Sequence, residues 1–238
     1  MALPPRVKPH AEKPARPAPA DGRSSNPTRR PALDRIVWKA GTLLAPVPVV
    51  LVTSGGGEEP ANVATVAWAG TVCSDPPMLS ISLRAATHTH GIIQRTGEFV
   101  VNIPTQSIAW ATDLCGVISG RDGDKFAKAG LTPVPATHVK APIVAECPVA
   151  LECRVKRVLE LGLHTMFVAE ILAVSVAGEL VDKQGRLAIE KAGLFAFAHG
   201  TYFALGATLG TFGYSVRKRP KGKAAPRTFG KKAGPKRP

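Results

Sequence analysis

The sequence predicts a mainly β domain that closes as a barrel, with a few short helices, flanked by two disordered basic tails. Three observations carry that expectation. Apolar residues come in short runs punctuated by Gly, Pro, Asp or Ser, as strands do, and not in long amphipathic stretches. The 238 residues are 45% hydrophobic, with three Trp and two Tyr, which suffices for one core. The net charge of +14 is carried by the ends. Residues 1–35 hold eight Lys/Arg against three acids and residues 217–238 hold ten against none, whereas 36–216 hold thirteen against fourteen.

Residues 1–35 contain eight prolines and no apolar periodicity, so they cannot bury enough surface to offset their ordering entropy. They read as a disordered Pro/Arg-rich tail. The first strand spans Val47 to Thr53, and Gly55-Gly56-Gly57, followed by Glu58 and Glu59, makes a hairpin turn that would repel phosphate. A second strand runs from Val63 to Val72, its small residues permitting close backbone approach. The third, Leu79 to Arg84, sets Leu79, Ile81 and Leu83 on one face and Ser80, Ser82 and Arg84 on the other. A short helix from Thr89 to Thr96, capped by Thr89 and stopped by Gly97, precedes the strand Phe99 to Ile103. Ser107 to Cys115 fits a helix with Gly116 as its stop, and Asp124 to Ala129 fits a turn before Gly130. In Ala150 to Leu159, Leu151, Cys153 and Val155 point inward and Glu152, Arg154 and Lys156 toward water. Thr165 to Val176, with a bulge, completes six or more strands, a barrel-like number. Residues 217–238 repeat Lys, Arg, Gly, Pro and Ala without an acid and read as a second disordered tail.

Several function classes fall away. The longest apolar run, Leu43 to Val52, is broken by Pro46 and Pro48 and is too short to span a membrane. The start has no secretory apolar block, although its basic residues also fit a transit peptide; a cytoplasmic protein is expected. Cys73, Cys115, Cys147 and Cys153 form no C-x-x-C pair and sit at no zinc spacing, so they read as reduced, inert core thiols, and no metal is expected. No P-loop, G-x-G-x-x-G or G-x-S-x-G motif occurs, and the Ser119–Phe126 loop lacks the spacing and terminal Glu of a calcium loop.

The stretch from Met78 to Ile93 carries the most chemistry. Strand, turn and helix start lie together, and unpaired N–H groups beside Arg84 and the Thr89 hydroxyl suit a phosphate dianion. The same residues also read as an exposed strand face with an ordinary cap. Asn62 to Trp68 offers close approach to a flat heteroaromatic ligand, or simply a strand of small side chains; Trp68 is expected in the core. His164, opening its strand after Gly162, reads as a rim histidine, structural or catalytic.

In order and spacing the blocks Pro48–Thr53, Asn62–Trp68, Asp75–Arg84, Thr96–Pro104, Ser119-Gly120 with Asp124-Lys125-Phe126, Leu151-Glu152-Cys153, Gly162–Thr165 and Leu209–Val216 resemble the flavin reductase-like family, the FMN-binding split barrels that include flavoredoxins. That resemblance covers about residues 38–218. It implies a six-stranded split β-barrel with Greek-key connections over 36–216, a homodimer, and FMN at the subunit interface. It also implies that Asn62, Ala64 and Thr65 approach the isoalloxazine, that Ser80, Ser82 and Leu83 line the ring and ribityl chain, and that Arg84, His88 and Thr89 hold the phosphate. His164 matches a family histidine near the flavin and nicotinamide. The activity implied is hydride transfer from NADH or NADPH to flavin, with electrons passed to free flavin, a partner oxygenase or another acceptor. A flavoredoxin-type carrier without NAD(P)H activity is the rival within the fold. A different class of reading makes the C-terminal tail a nucleic acid- or polyanion-binding element, or a segment that only aids solubility.

Overall fold

The computed structural model describes residues 33–217. The expected disordered tails therefore lie outside the described residues, save 33–35 and 217. Residues 33–42 form no regular element and are exposed.

Among the described residues from 43 to 217, twelve strands and three α-helices follow in chain order. The strands are β1 (Val47–Pro48), β2 (Val50–Ser54), β3 (Asn62–Val66), β4 (Ala69–Ser74), β5 (Pro77–Arg84), β6 (Glu98–Ile103), β7 (Pro133–Val134), β8 (Ile143–Val144), β9 (Val149–Glu160), β10 (His164–Val176), β11 (Phe195–Ala198) and β12 (Thr201–Ala204). The helices are α1 (His88–Thr96), α2 (Ala109–Val117) and α3 (Lys125–Ala129). Seven strands make the main antiparallel sheet, ordered β3-β2-β6-β9-β10-β5-β4; β1-β11-β12 and β7-β8 form small ones.

The strand expected over Val63 to Val72 is broken in two. β3 ends at Val66 on one edge of the sheet and β4 begins at Ala69 on the other, so Ala67 and Trp68 alone carry the chain between the edges. The sheet must curl to allow this, and the Trp68 carbonyl accepts from the Ser82 amide at 2.9 Å. Bending one expected strand into two is why seven strands stand where six were expected.

Inside the curl, Val50, Val52, Leu79, Ile81, Leu83, Phe99, Val101, Cys153 and Phe167 form one core with Ile93 of α1. β2 is buried on both faces because Leu51, alternating with Val50 and Val52, joins a second cluster in which Ala111 and Cys115 of α2 and Phe126 of α3 cover the outside. The β9–β10 ladder shifts register twice, with the extra residue at Lys156 of β9 and at Leu172 of β10.

Three expectations about single residues fail here. Thr87, not Thr89, caps α1: its Oγ1 accepts from the His90 amide, while Gly97 ends the helix in the left-handed region. Gly116 does not stop α2, which continues to Val117. A Cβ on Gly116 would lie 3.2 Å from that of Thr65, so the glycine serves the close packing of α2 on β3. Glu152 is fully buried, not turned to water, and accepts from the Thr137 and His138 amides of the segment lying over the sheet.

Candidate functional site

The site grows from the junction of β5 and α1. Arg84 ends the strand, and its carbonyl accepts from both the amide and the hydroxyl of Thr87, at 3.0 and 2.9 Å, which folds the chain into a tight turn. α1 starts directly after that turn, so its first amides and its positive dipole end face outward beside β3. Across from them stands the loop leaving α2. The side chain of Ser119 accepts from the Arg121 amide, and Arg121 Nη1 donates to the Ala86 carbonyl at 3.0 Å, which ties that loop to the β5–α1 turn.

Between these walls lies a cavity of about 300 Å³. Ala64, Thr65 and Leu83 form its strand side, Ala86, Thr87, His88 and Thr89 its turn and helix side, and residues 115–121 with Lys125 the rest. No Asp or Glu lines it, whereas Arg121 and Lys125 do. Asn62 stands just behind: it is buried, its Nδ2 donates to Thr89 Oγ1 at 2.9 Å, and its Oδ1 faces Gly120 so closely that a Cβ there would sit 2.2 Å away. Only glycine lets the loop approach Asn62 and His88 this closely. His88, Gly120 and Lys125 also line a neighbouring depression of about 450 Å³, so they form the wall between the two.

Lys125 is the least expected member. It is only 5% exposed, and its Nζ donates to the Cys115 carbonyl at 2.6 Å. Burial pulls its pKa below the ordinary lysine value. Burial likewise raises the Cys115 thiol, an effect that the Lys125 charge opposes.

The residues expected at the site separate into two groups. Asn62, Ala64, Thr65, Leu83, His88 and Thr89 gather at the cavity. Ser80, Ser82, Arg84 and His164 instead occupy the outward stripe of β5 and the start of β10, where Arg84 pairs with His164 and Ser82 with Met166. Arg84 is exposed and outside the cavity lining, whereas Arg121 is part of that lining. Trp68, expected in the core, is 44% exposed and packs on the His164 ring at 4.4 Å between centroids, because the bend between β3 and β4 turns it out of the strand alternation. Arg121 and Lys125 were missed as site residues. Their only sequence signal was membership of the Ser119–Phe126 stretch, since burial of a lysine between Asp124 and Phe126 leaves no mark on periodicity.

Comparison with known proteins assigns this arrangement. Residues 43–205 match the family model described as the flavin reductase like domain. The chain belongs to the flavin reductase-like family. The solved structure of flavoredoxin from Desulfovibrio vulgaris (Miyazaki F) is similar to this flavin reductase-like domain with a TM-score of 0.72 and 36% identity, over 77% of this chain and 100% of that one. An uncharacterized protein of Archaeoglobus fulgidus is 38% identical over 132 residues, 56% of this chain and 73% of its own. The reductase component of a 4-nitrophenol 4-monooxygenase/4-nitrocatechol 2-monooxygenase from Rhodococcus opacus is 32% identical over 126 residues, 52% of this chain and 63% of its own. The mainly β sheet with few helices is thus that of the split-barrel flavin reductases, and a flavin is the cofactor the family supports. Among the described residues no helix is long and apolar enough to cross a membrane, and no group of His, Cys, Asp and Glu is placed to hold a metal.

Proposed function

We propose that this chain is an FMN-dependent oxidoreductase that takes a hydride from NADH or NADPH and passes electrons to free flavin, a partner oxygenase or another acceptor. The observation that carries this reading is the acid-free cavity at the α1 N-terminus, walled by small residues of β3 and by two cations. The residues fit a flavin phosphate in kind: amides at a helix start, the Thr89 hydroxyl, Arg121 and Lys125 are all donors. Bound there, the flavin supplies the two-electron chemistry itself. The chain's part is positional. Ala64 and Thr65 offer a flat approach, Leu83 keeps water from one side, and α1 with the 119–121 loop holds the phosphate end. Ser80, Ser82 and Arg84 extend the donor stripe toward His164, which together with Trp68 forms an aromatic step suited to a second planar ring. Hydride transfer needs no general acid or base, in keeping with a site built from donors and small side chains.

The Rhodococcus relative, named as a reductase component, supports a partner oxygenase. A homodimer with the flavin at its interface and a cytoplasmic location belong to the same proposal. The flavoredoxin likeness favours a second reading, an electron carrier that does not use NAD(P)H. Anaerobic stopped-flow mixing of the flavin-loaded protein with NADH and with NADPH separates them. A reductase bleaches the oxidised-flavin band much faster than free flavin is reduced under the same conditions. Bleaching by dithionite but by neither nucleotide would leave the carrier reading and remove the reductase one.

A further inference from the structure

Ile92 and Ile93 of α1 are buried apolar residues, but His90, one turn before Ile93, is a half-buried polar one. Its ring lies edge-on to the fully buried Phe167 of β10, with 5.2 Å between centroids. Its Nε2 shares a hydrogen bond of 3.0 Å with the hydroxyl of Thr165, either group donating according to the tautomer. Thr165 is buried as well, and among the described residues its hydroxyl has no other side-chain partner. A phenylalanine or leucine in place of His90 would pack against Phe167 with no polar atom to satisfy. The polar pair adds little net stability, because folding exchanges it for bonds to water, but it fixes a direction and a distance that apolar contacts leave loose.

The neighbours of the pair give that fixing a use. His90 follows Thr89, which lines the cavity, and Thr165 follows His164, which packs on Trp68. Leu83 of β5, the register partner of Thr165, lines the cavity too. Among the described residues the His90–Thr165 bond is the one side-chain hydrogen bond that joins α1 to β10. The others made by α1 go to Asn62, Glu59, Glu98 or the helix's own turns.

Resting on the reductase reading above, we infer that His90 is a positioning residue for hydride transfer, its bond to Thr165 setting the separation between a flavin held at α1 and a nicotinamide held against His164 and Trp68. In that transfer the C4–H bond of the dihydronicotinamide breaks and its electron pair forms the N5–H bond of the flavin, leaving oxidised nicotinamide and the reduced flavin anion. His90 exchanges no proton with either. A misplacement of about 1 Å costs on the order of a hundredfold in rate, so a bond that holds α1 to β10 acts on the reaction without touching either ring.

The test compares wild type with Thr165→Val, which removes the hydroxyl, His90→Phe, which keeps an aromatic edge against Phe167, and His90→Gln, which can still bond Thr165. Three quantities are read: FMN affinity by fluorescence quenching, the charge-transfer absorbance of the FMN-loaded protein with the unreactive tetrahydro forms of NADH and NADPH, and the stopped-flow rate of bleaching at saturating nucleotide. Thr165→Val and His90→Phe keep FMN affinity within about twofold, as neither side chain lines the cavity, and lose about tenfold or more in bleaching rate. Their charge-transfer band weakens, His90→Gln recovers part of the rate and of the band, and the variant carrying both changes is no slower than the slower single one. Wild-type rates or an unchanged band in both variants would overturn the inference, as would a parallel loss of FMN affinity and rate, the mark of a merely structural contact. If one of the two does not fold, the other is read alone; if neither folds, the pair is structural and the inference fails. Wild type that takes up FMN but is bleached by neither nucleotide would refute the reductase reading itself, whereas equal bleaching of wild type and variants refutes only the role of His90.

Discussion

Cys147 and Cys153 are buried, and burial pushes both thiols up to about 12, with the neighbouring Glu146 and Glu152 charges adding to the effect. Cys115 is buried and raised as well, but Cys73 is only half-buried, its Sγ donating to the Asp75 carbonyl at 3.2 Å. The expectation of four inert core thiols therefore holds for three of them and fails for Cys73, which sits on β4 at the sheet edge. A native sample treated with a disulfide reagent at pH 8 should lose one thiol quickly and the remaining three only on unfolding. Rapid reaction of two or more would contradict the burial described. The sign of the pH effect follows from the same shifts. The folded pKa of Cys147 and of Cys153 lies above the ordinary value of 9.0, so their contribution to stability is full below about pH 9 and is lost as the pH rises toward 12. Inward alternation made Cys153 legible in the sequence. The same alternation misplaced Glu152, because the outward face of a strand can be covered by a distant loop, and nothing in a strand's own pattern shows that cover.

The cover is an element in its own right. Between α3 and β9 the chain lies against the outward face of β6 and β9, with Val139 and Ala141 packed on Val100 and Ala150. Side chains from the sheet hold its backbone: Glu98 accepts from the Lys140 amide at 2.6 Å, Asn102 from the Val144 amide at 2.9 Å, and Glu152 from the Thr137 amide at 3.0 Å. Replacing Glu152 by Ala strands the Thr137 and His138 amides in a half-buried setting. The expected loss is about 1–3 kcal/mol of stability, read as a lower denaturation midpoint, with faster hydrogen exchange at Thr137 and His138. Flavin affinity should change little, since Glu152 lies outside the cavity lining. Unchanged stability with unchanged protection would mean that the carboxylate does not pin the segment. Most strands and the helices α1 and α2 were legible, from period-two alternation in β5 and from the glycine that ends α1, whereas α3 was expected only as a turn before Gly130. The bend between β3 and β4 was not, because Ala67 and Trp68 carry no breaker residue and only sheet closure demands a bend there. The short β1-β11-β12 sheet was missed because strands of two to four residues give too little periodicity to read.

At the scale of the whole molecule, sheet closure and cavity follow from one connection. Curling brings β3 and β4, the two edges, within two residues of each other, and it places the end of β5, the start of α1 and the outer face of β3 around a common space. α2 then packs on β3 through Gly116, and the loop beyond it closes the cavity through Gly120 against Asn62. Residues 36–216 are nearly neutral and the surplus charge lies at the two ends of the sequence, so the positive character of the cavity is local and comes from Lys125, Arg121 and the helix start. The central claim is that this space holds a phosphorylated flavin. Its most direct test is the visible absorption spectrum of the purified protein, before and after adding FMN, with any heat-released cofactor identified by chromatography. A yellow protein that releases FMN, or a colourless one that binds added FMN stoichiometrically, is the predicted result. A colourless protein that leaves the spectrum and fluorescence of added FMN unchanged would contradict the account.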